Sequence, residues 1–107
     1  MRTSGLKTQS ITITMTGRNL TMDALCCDGL ALHRAPATKD GWKVTHVESG
    51  MAVAGFPSKA AASRTLRALL PLTDWTRTGK AVVQTFAVDP ALRGEMQHII
   101  KTNGGVL

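Results

Sequence analysis

The sequence predicts one α+β domain, a mainly antiparallel sheet of about five or six strands with two helices packed on one face. Three observations carry this expectation. Apolar residues alternate with polar ones over the first half of the chain, two later segments repeat apolar residues at helical spacing behind capping residues, and the order runs strands, helix, strand, helix. At 107 residues the chain suits one domain and is too short for two that each bury a core. Hydrophobic residues make up 43% and charged residues 19%, a globular composition rather than a disordered one. Residues 9–103 are expected to form the domain, with flexible ends over 1–8 and 104–107.

Across Ser10–Thr16, Ile11, Ile13 and Met15 alternate with hydroxyl side chains, the pattern of a half-buried strand. Gly17, Arg18 and Asn19 supply a turn, and Leu20, Met22, Ala24 and Cys26 continue the alternation. A helix over Met22–Cys27 competes here, because Met, Ala and Leu are good helix formers. Asp28-Gly29 suits a tight hairpin, since both turn positions need positive φ, and Leu30, Leu32 and Arg34 return on the partner strand. After the turn-rich connector Pro36–Gly41, Trp42–Val47 reads as a strand, Glu48-Ser49-Gly50 as a short loop and Met51–Phe56 as the returning strand. That hairpin brings Trp42 and Phe56 together at its open end.

Ser58 can cap a helix over Lys59–Leu70, because its hydroxyl accepts from a first-turn amide, and Pro71 follows where a helix does not easily continue. Ala62, Leu66, Leu69 and Leu70 share one face of it, with Arg64 and Arg67 on another flank. Ala81–Val88 reads as a further strand with Val82, Phe86 and Val88 on one side. Asp89-Pro90 starts a last helix that runs to about Thr102. It points Leu92, Met96, Ile99 and Ile100 inward and Arg93, Gln97, His98 and Lys101 outward, and Asn103-Gly104-Gly105 ends it.

Spacing argues against catalysis and against metals. Cys26 and Cys27 are adjacent, so on a strand they face opposite sides and do not easily share an ion or close a disulfide without strain. Together with His33, His46 and His98 they show no pair at structural zinc spacing, and neither a metal nor another cofactor is expected. Ser49 with His46, and Cys27 with His33, are the loose nucleophile and base candidates, and neither pair sits in a strand-elbow motif. The seven carboxylates are scattered singly, and Gly50–Gly55 has neither the spacing nor the lysine of a phosphate loop. The expectation is a non-enzymatic protein.

Charge then points to a class of partner. Thirteen Lys and Arg against seven Asp and Glu give a net charge of +6 and a pI near 10.0, which attracts polyanions. Nucleic acid is the leading partner, with phosphate contacts expected from Lys43, Lys59, Arg64, Arg67, Arg77 and Lys80. The alternative is an acidic host protein, for which Trp75, in a Thr-Asp-Trp-Thr loop, would be the interface anchor. No stretch approaches the ~20 apolar residues of a membrane span, and no apolar core follows the basic start. A cytoplasmic protein with reduced thiols and no membrane contact is expected; a homodimer paired through strand edges is compatible with the pattern.

The run Trp42-x-Val44-x-His46, Ser49-Gly50, then Gly55-Phe56-Pro57-Ser58-Lys59 and Ala60–Ala62 resembles the arm-type DNA-binding module of tyrosine integrases. There a small sheet beginning near a tryptophan leads through a Gly-Phe turn into an alanine-containing helix. The same residues are similar to the Trp-x-Val-Thr-His-x-x-Ser-Gly start of short uncharacterised proteins encoded by phages and plasmids. In that module the sheet faces the DNA groove, so the resemblance implies DNA contacts from Lys43, Thr45 and Lys59, and Met51–Phe56 departs from the family pattern in carrying no basic residue. It also implies a regulatory protein of a phage or other mobile element, or, on the protein-partner alternative, an inhibitor of a host enzyme or defence complex.

Overall fold

The structure is a computed structural model that describes residues 6–15, 17–35 and 41–106, without the side chain of Met15. In order, the elements are β1 (Lys7–Met15), β2 (Arg18–Cys27), β3 (Leu30–Arg34), β4 (Trp42–His46), β5 (Met51–Phe56), α1 (Lys59–Leu69), α2 (Gly79–Ala87) and α3 (Pro90–Thr102). A 3-10 turn over Leu70–Leu72 follows α1, where Pro71 stops the α-helix. The strands form one antiparallel sheet in the order β1-β2-β3-β4-β5, so the α+β class holds, with three α-helices rather than two among the described residues. Connector residues 36–40 lie outside the described residues.

The third helix is the main correction. Ala81–Val88, expected as a strand, belongs to α2, which starts when the Thr78 hydroxyl accepts the Ala81 N–H at 3.2 Å. Val82 and Phe86 are four residues apart, a spacing that one face of a strand and one face of a helix both satisfy. Val88, which the strand reading sets beside them, is 67% exposed at the helix end. The competing helix over Met22–Cys27 does not form, because those residues pair along β1, Ile11 opposite Met22 and Lys7 opposite Cys26.

Asp28 and Gly29 have φ of 47° and 97°, the left-handed pair that a two-residue hairpin needs, and Cys27 faces Leu30 across the turn. Alternation then gives the sheet two apolar faces. Leu30, Leu32, Val44, Ala54 and Phe56 pack on one face against Ala61, Ala62, Leu66 and Leu69 of α1, with Trp75, Val82, Phe86 and Ile100 completing this main core. Ile11, Ile13, Ala24, Cys26 and Ala31 form a second cluster on the other face. That cluster is covered because the sheet curls. Thr14 donates its backbone N–H to the Gly50 carbonyl at 2.8 Å and its hydroxyl to the Ser49 carbonyl at 3.2 Å, so the outermost strands meet at one end. The register shift between Val44 and Thr45, which pair with Ala54 and Ala52, leaves Val53 as the extra residue of a bulge in β5 that helps the sheet bend.

The helix boundaries follow from their caps. Ser58 accepts from Ala61 N–H at 3.1 Å and Asp89 from Leu92 N–H at 3.0 Å, each satisfying an orphan first-turn donor. Gly104–Val106 fold back after α3, and Val106 makes a two-bond antiparallel bridge to Gly55 at 2.9 Å each way. Among the described residues no helix is long and apolar enough to cross a membrane.

Candidate functional site

The basic residues singled out in the sequence do not converge on one surface. Trp42 and His46 mark opposite ends of β4, roughly 13 Å apart at ~3.3 Å per residue. Lys59 lies at the Trp42 end, with its Nζ 5.6 Å from the Trp42 ring centroid. Lys43 follows Trp42 on the strand and so faces the other side of the sheet. Arg64 turns toward the end of α3 and donates from Nε to the Asn103 side chain at 3.2 Å, whereas Arg67 lies within electrostatic reach of Cys27. Arg77 donates to the Thr85 hydroxyl at 3.1 Å, and Lys80 opens α2 at the His46 end.

One cation that sequence reading missed completes the Trp42 end. Arg34, opposite Trp42 in the β3–β4 register, has its Cζ 5.2 Å from the Trp42 ring centroid. A strand residue and a helix residue thus hold two cations over one half-exposed indole, within the ~6 Å range of cation–π attraction. Thr45, which the resemblance assigns to DNA, is instead buried and hydrogen-bonded to His33.

The other end of β4 is organised by His46. Its Nε2 lies 2.8 Å from the Trp75 carbonyl, an acceptor only, so Nε2 carries the proton. Nδ1 is therefore the acceptor and the Ser49 hydroxyl donates to it at 2.8 Å, while Ser49 Oγ accepts the Met51 N–H at 3.2 Å. Glu48 accepts the Gly79 N–H at 3.1 Å. Ser49 and His46 stand at nucleophile-and-base distance, but both ring nitrogens and the hydroxyl are engaged in joining the β4–β5 turn to the Trp75 loop, and Glu48 ties the same turn to the start of α2. The group is a clamp. Trp75 itself is 2% exposed, with its indole N–H donated to the Leu69 carbonyl at 2.8 Å, so it is a core residue and not a surface anchor.

Cys27 and His33 project from opposite faces of the sheet and do not meet. Burial pushes the Cys26 thiol up; the Cys27 thiol is pushed up by burial first, then by the Asp28 carboxylate and its hydrogen bond, against a smaller pull from Arg67. Neither favours the thiolate that nucleophilic chemistry needs. Among the described residues no three His, Cys, Asp or Glu side chains group as a metal site.

His33 is buried with both nitrogens engaged: Nδ1 donates to the Arg34 carbonyl at 2.8 Å, and Nε2 accepts from the Thr45 hydroxyl at 2.6 Å. Burial lowers its pKa from the ordinary value of 6.5, the Arg34 carbonyl opposes that, and the Lys43 charge adds to it. The unfolded chain therefore takes up this proton first as pH falls. Stability is expected to be full above about pH 6.5 and to decline below it toward the lowered native pKa, by no more than ~1.4 kcal/mol per pH unit for one proton. Urea titrations at pH 7.5 and 5.5 check this, and His33→Gln, which cannot titrate, should flatten the difference.

Comparison of the chain with family models, with curated proteins and with solved structures gave no match.

Proposed function

We propose that the protein binds nucleic acid, with the Trp42 end of the sheet as its contact surface. The observation that carries this reading is the placement of Arg34 and Lys59 over the half-exposed Trp42 ring. Long cationic side chains lose rotamer freedom when they engage a phosphate, and an indole that already holds two of them side by side reduces that loss. Arg64, turned toward the end of α3, lies off this surface, and the net charge of +6 draws a polyanion toward the protein. Arg77 and Lys80 are not part of this surface.

Two phosphate contacts, from Arg34 and Lys59, give a log–log salt slope of about −1.8 on duplex DNA. Filter binding across a salt series is the test. Lys59→Glu is expected to make the slope shallower by about 0.9, whereas Lys80→Glu leaves it unchanged. Trp42→Ala retains every charge and should weaken binding about fivefold, the worth of two exposed cation–π contacts. No retention of nucleic acid at low salt would end the proposal, and equal losses in the Lys59 and Lys80 variants would remove the surface assigned to it.

A further inference from the structure

A groove runs between β5, α2 and α3, with a volume of about 650 Å³. Its apolar wall is made by Met51, Val53, Val82, Val83, Phe86 and Met96. Met51 is 55% and Val83 68% exposed, two of the four large apolar side chains that stand out among the described residues, and here they share one concavity. The polar groups at its inner end, His46 and Ser49, have no unspent donor for a ligand, because their hydrogen bonds close on Trp75 and on each other. Lys80 and Arg93 also line the groove, and among the described lining residues there is no carboxylate. Glu48, beside it, is engaged with the Gly79 amide.

These features select the occupant. A nucleobase or a sugar needs polar groups to read its edge, and the apolar wall supplies none. A stable protein interface needs roughly 800 Å² from each partner, more than one concavity provides, whereas small-ligand pockets fall at about 300–1,000 Å³. An apolar trough with two cations and no anion on its lining is complementary to a single alkyl chain ending in a negative charge. We infer that this groove binds a free fatty carboxylate, its chain against the apolar wall and its head group drawn to the cations of the lining, Lys80 and Arg93. This goes beyond nucleic-acid binding and uses residues at the opposite end of β4.

Trp75 lines the groove and Trp42 does not, so in Trp42→Phe the indole emission comes from Trp75 alone. That variant would be titrated with octanoate, decanoate and dodecanoate, all below the concentrations at which they form micelles. Saturable changes in Trp75 emission are expected, with affinity rising about fourfold for each added methylene. Adding Lys80→Glu and Arg93→Glu should weaken decanoate by at least about tenfold, the range for two reversed charges beside one head group, and leave decanol unchanged. Retained decanol binding also shows that the altered protein keeps its groove. Absence of a saturable response, or equal affinity for decanoate, decanol and decyltrimethylammonium in the unreversed protein, would overturn the inference.

Discussion

Trp75→Ala should destabilise the fold by about 3–5 kcal/mol, out of the ~5–15 kcal/mol that holds a domain of this size together. The loss has two parts. The ring is buried against Phe86, with centroids 5.6 Å apart, and deleting it leaves a cavity in the main core where α2 meets the sheet. Its N–H is donated to the Leu69 carbonyl at 2.8 Å, where α1 gives way to the 3-10 turn, and so ties the Trp75 loop to the end of that helix. Trp75→Phe separates the two, since it keeps most of the packing and removes only the donor, and should cost about 1–3 kcal/mol. Thermal unfolding followed by circular dichroism reads both. At ~4 °C or more per kcal/mol, Trp75→Ala should lower Tm by at least about 12 °C. A fall of under about 5 °C would mean that the Trp75 loop is not part of the cooperative core.

That loop also shows where sequence reasoning stops. Ser58 and Asp89 were legible as helix starts because a cap is a contact between residues three apart, and both caps form. The Asp28-Gly29 turn was legible for the same local reason, and it sets the β2–β3 register. Arg34 was not, because its place beside Trp42 depends on the β3–β4 register, which the connector between them leaves open. The clamp was half legible. His46 and Ser49 are neighbours within one turn, but the Trp75 carbonyl that fixes the histidine tautomer lies 29 residues further on. α2 failed on ambiguity, since apolar residues four apart fit both periods and only the Thr78 hydroxyl argued for a helix. The six basic residues divided because their faces are set by which elements pack together, which alternation within one element does not encode.

The larger of the two expected effects belongs to Gly29→Ala, at about 4 kcal/mol or more, a size reached only when a substitution meets a specific obstacle. Gly29 has φ of 97°, and a Cβ built on it would lie 2.4 Å from both the carbonyl carbon and oxygen of Trp75 and 2.7 Å from the Thr76 nitrogen. These are backbone atoms, so no side-chain rotation relieves the overlap. Retreat of either segment breaks other bonds, because the Gly29 carbonyl accepts the Val47 N–H at 2.9 Å and the Trp75 carbonyl accepts from His46. Gly17→Ala isolates the conformational part of this cost: its φ of 83° is also left-handed, but a Cβ there meets nothing within 4 Å. It should cost only the ~1–2 kcal/mol of a left-handed alanine. Urea denaturation of the two variants beside the unaltered protein makes the comparison. A Gly29→Ala loss within about 1 kcal/mol of the Gly17→Ala loss would mean that the β2–β3 turn and the Trp75 loop do not touch as described. The wider gap expected would show that the tight turn and the buried tryptophan form one construction, in which the smallest residue of the hairpin admits the backbone that His46 holds.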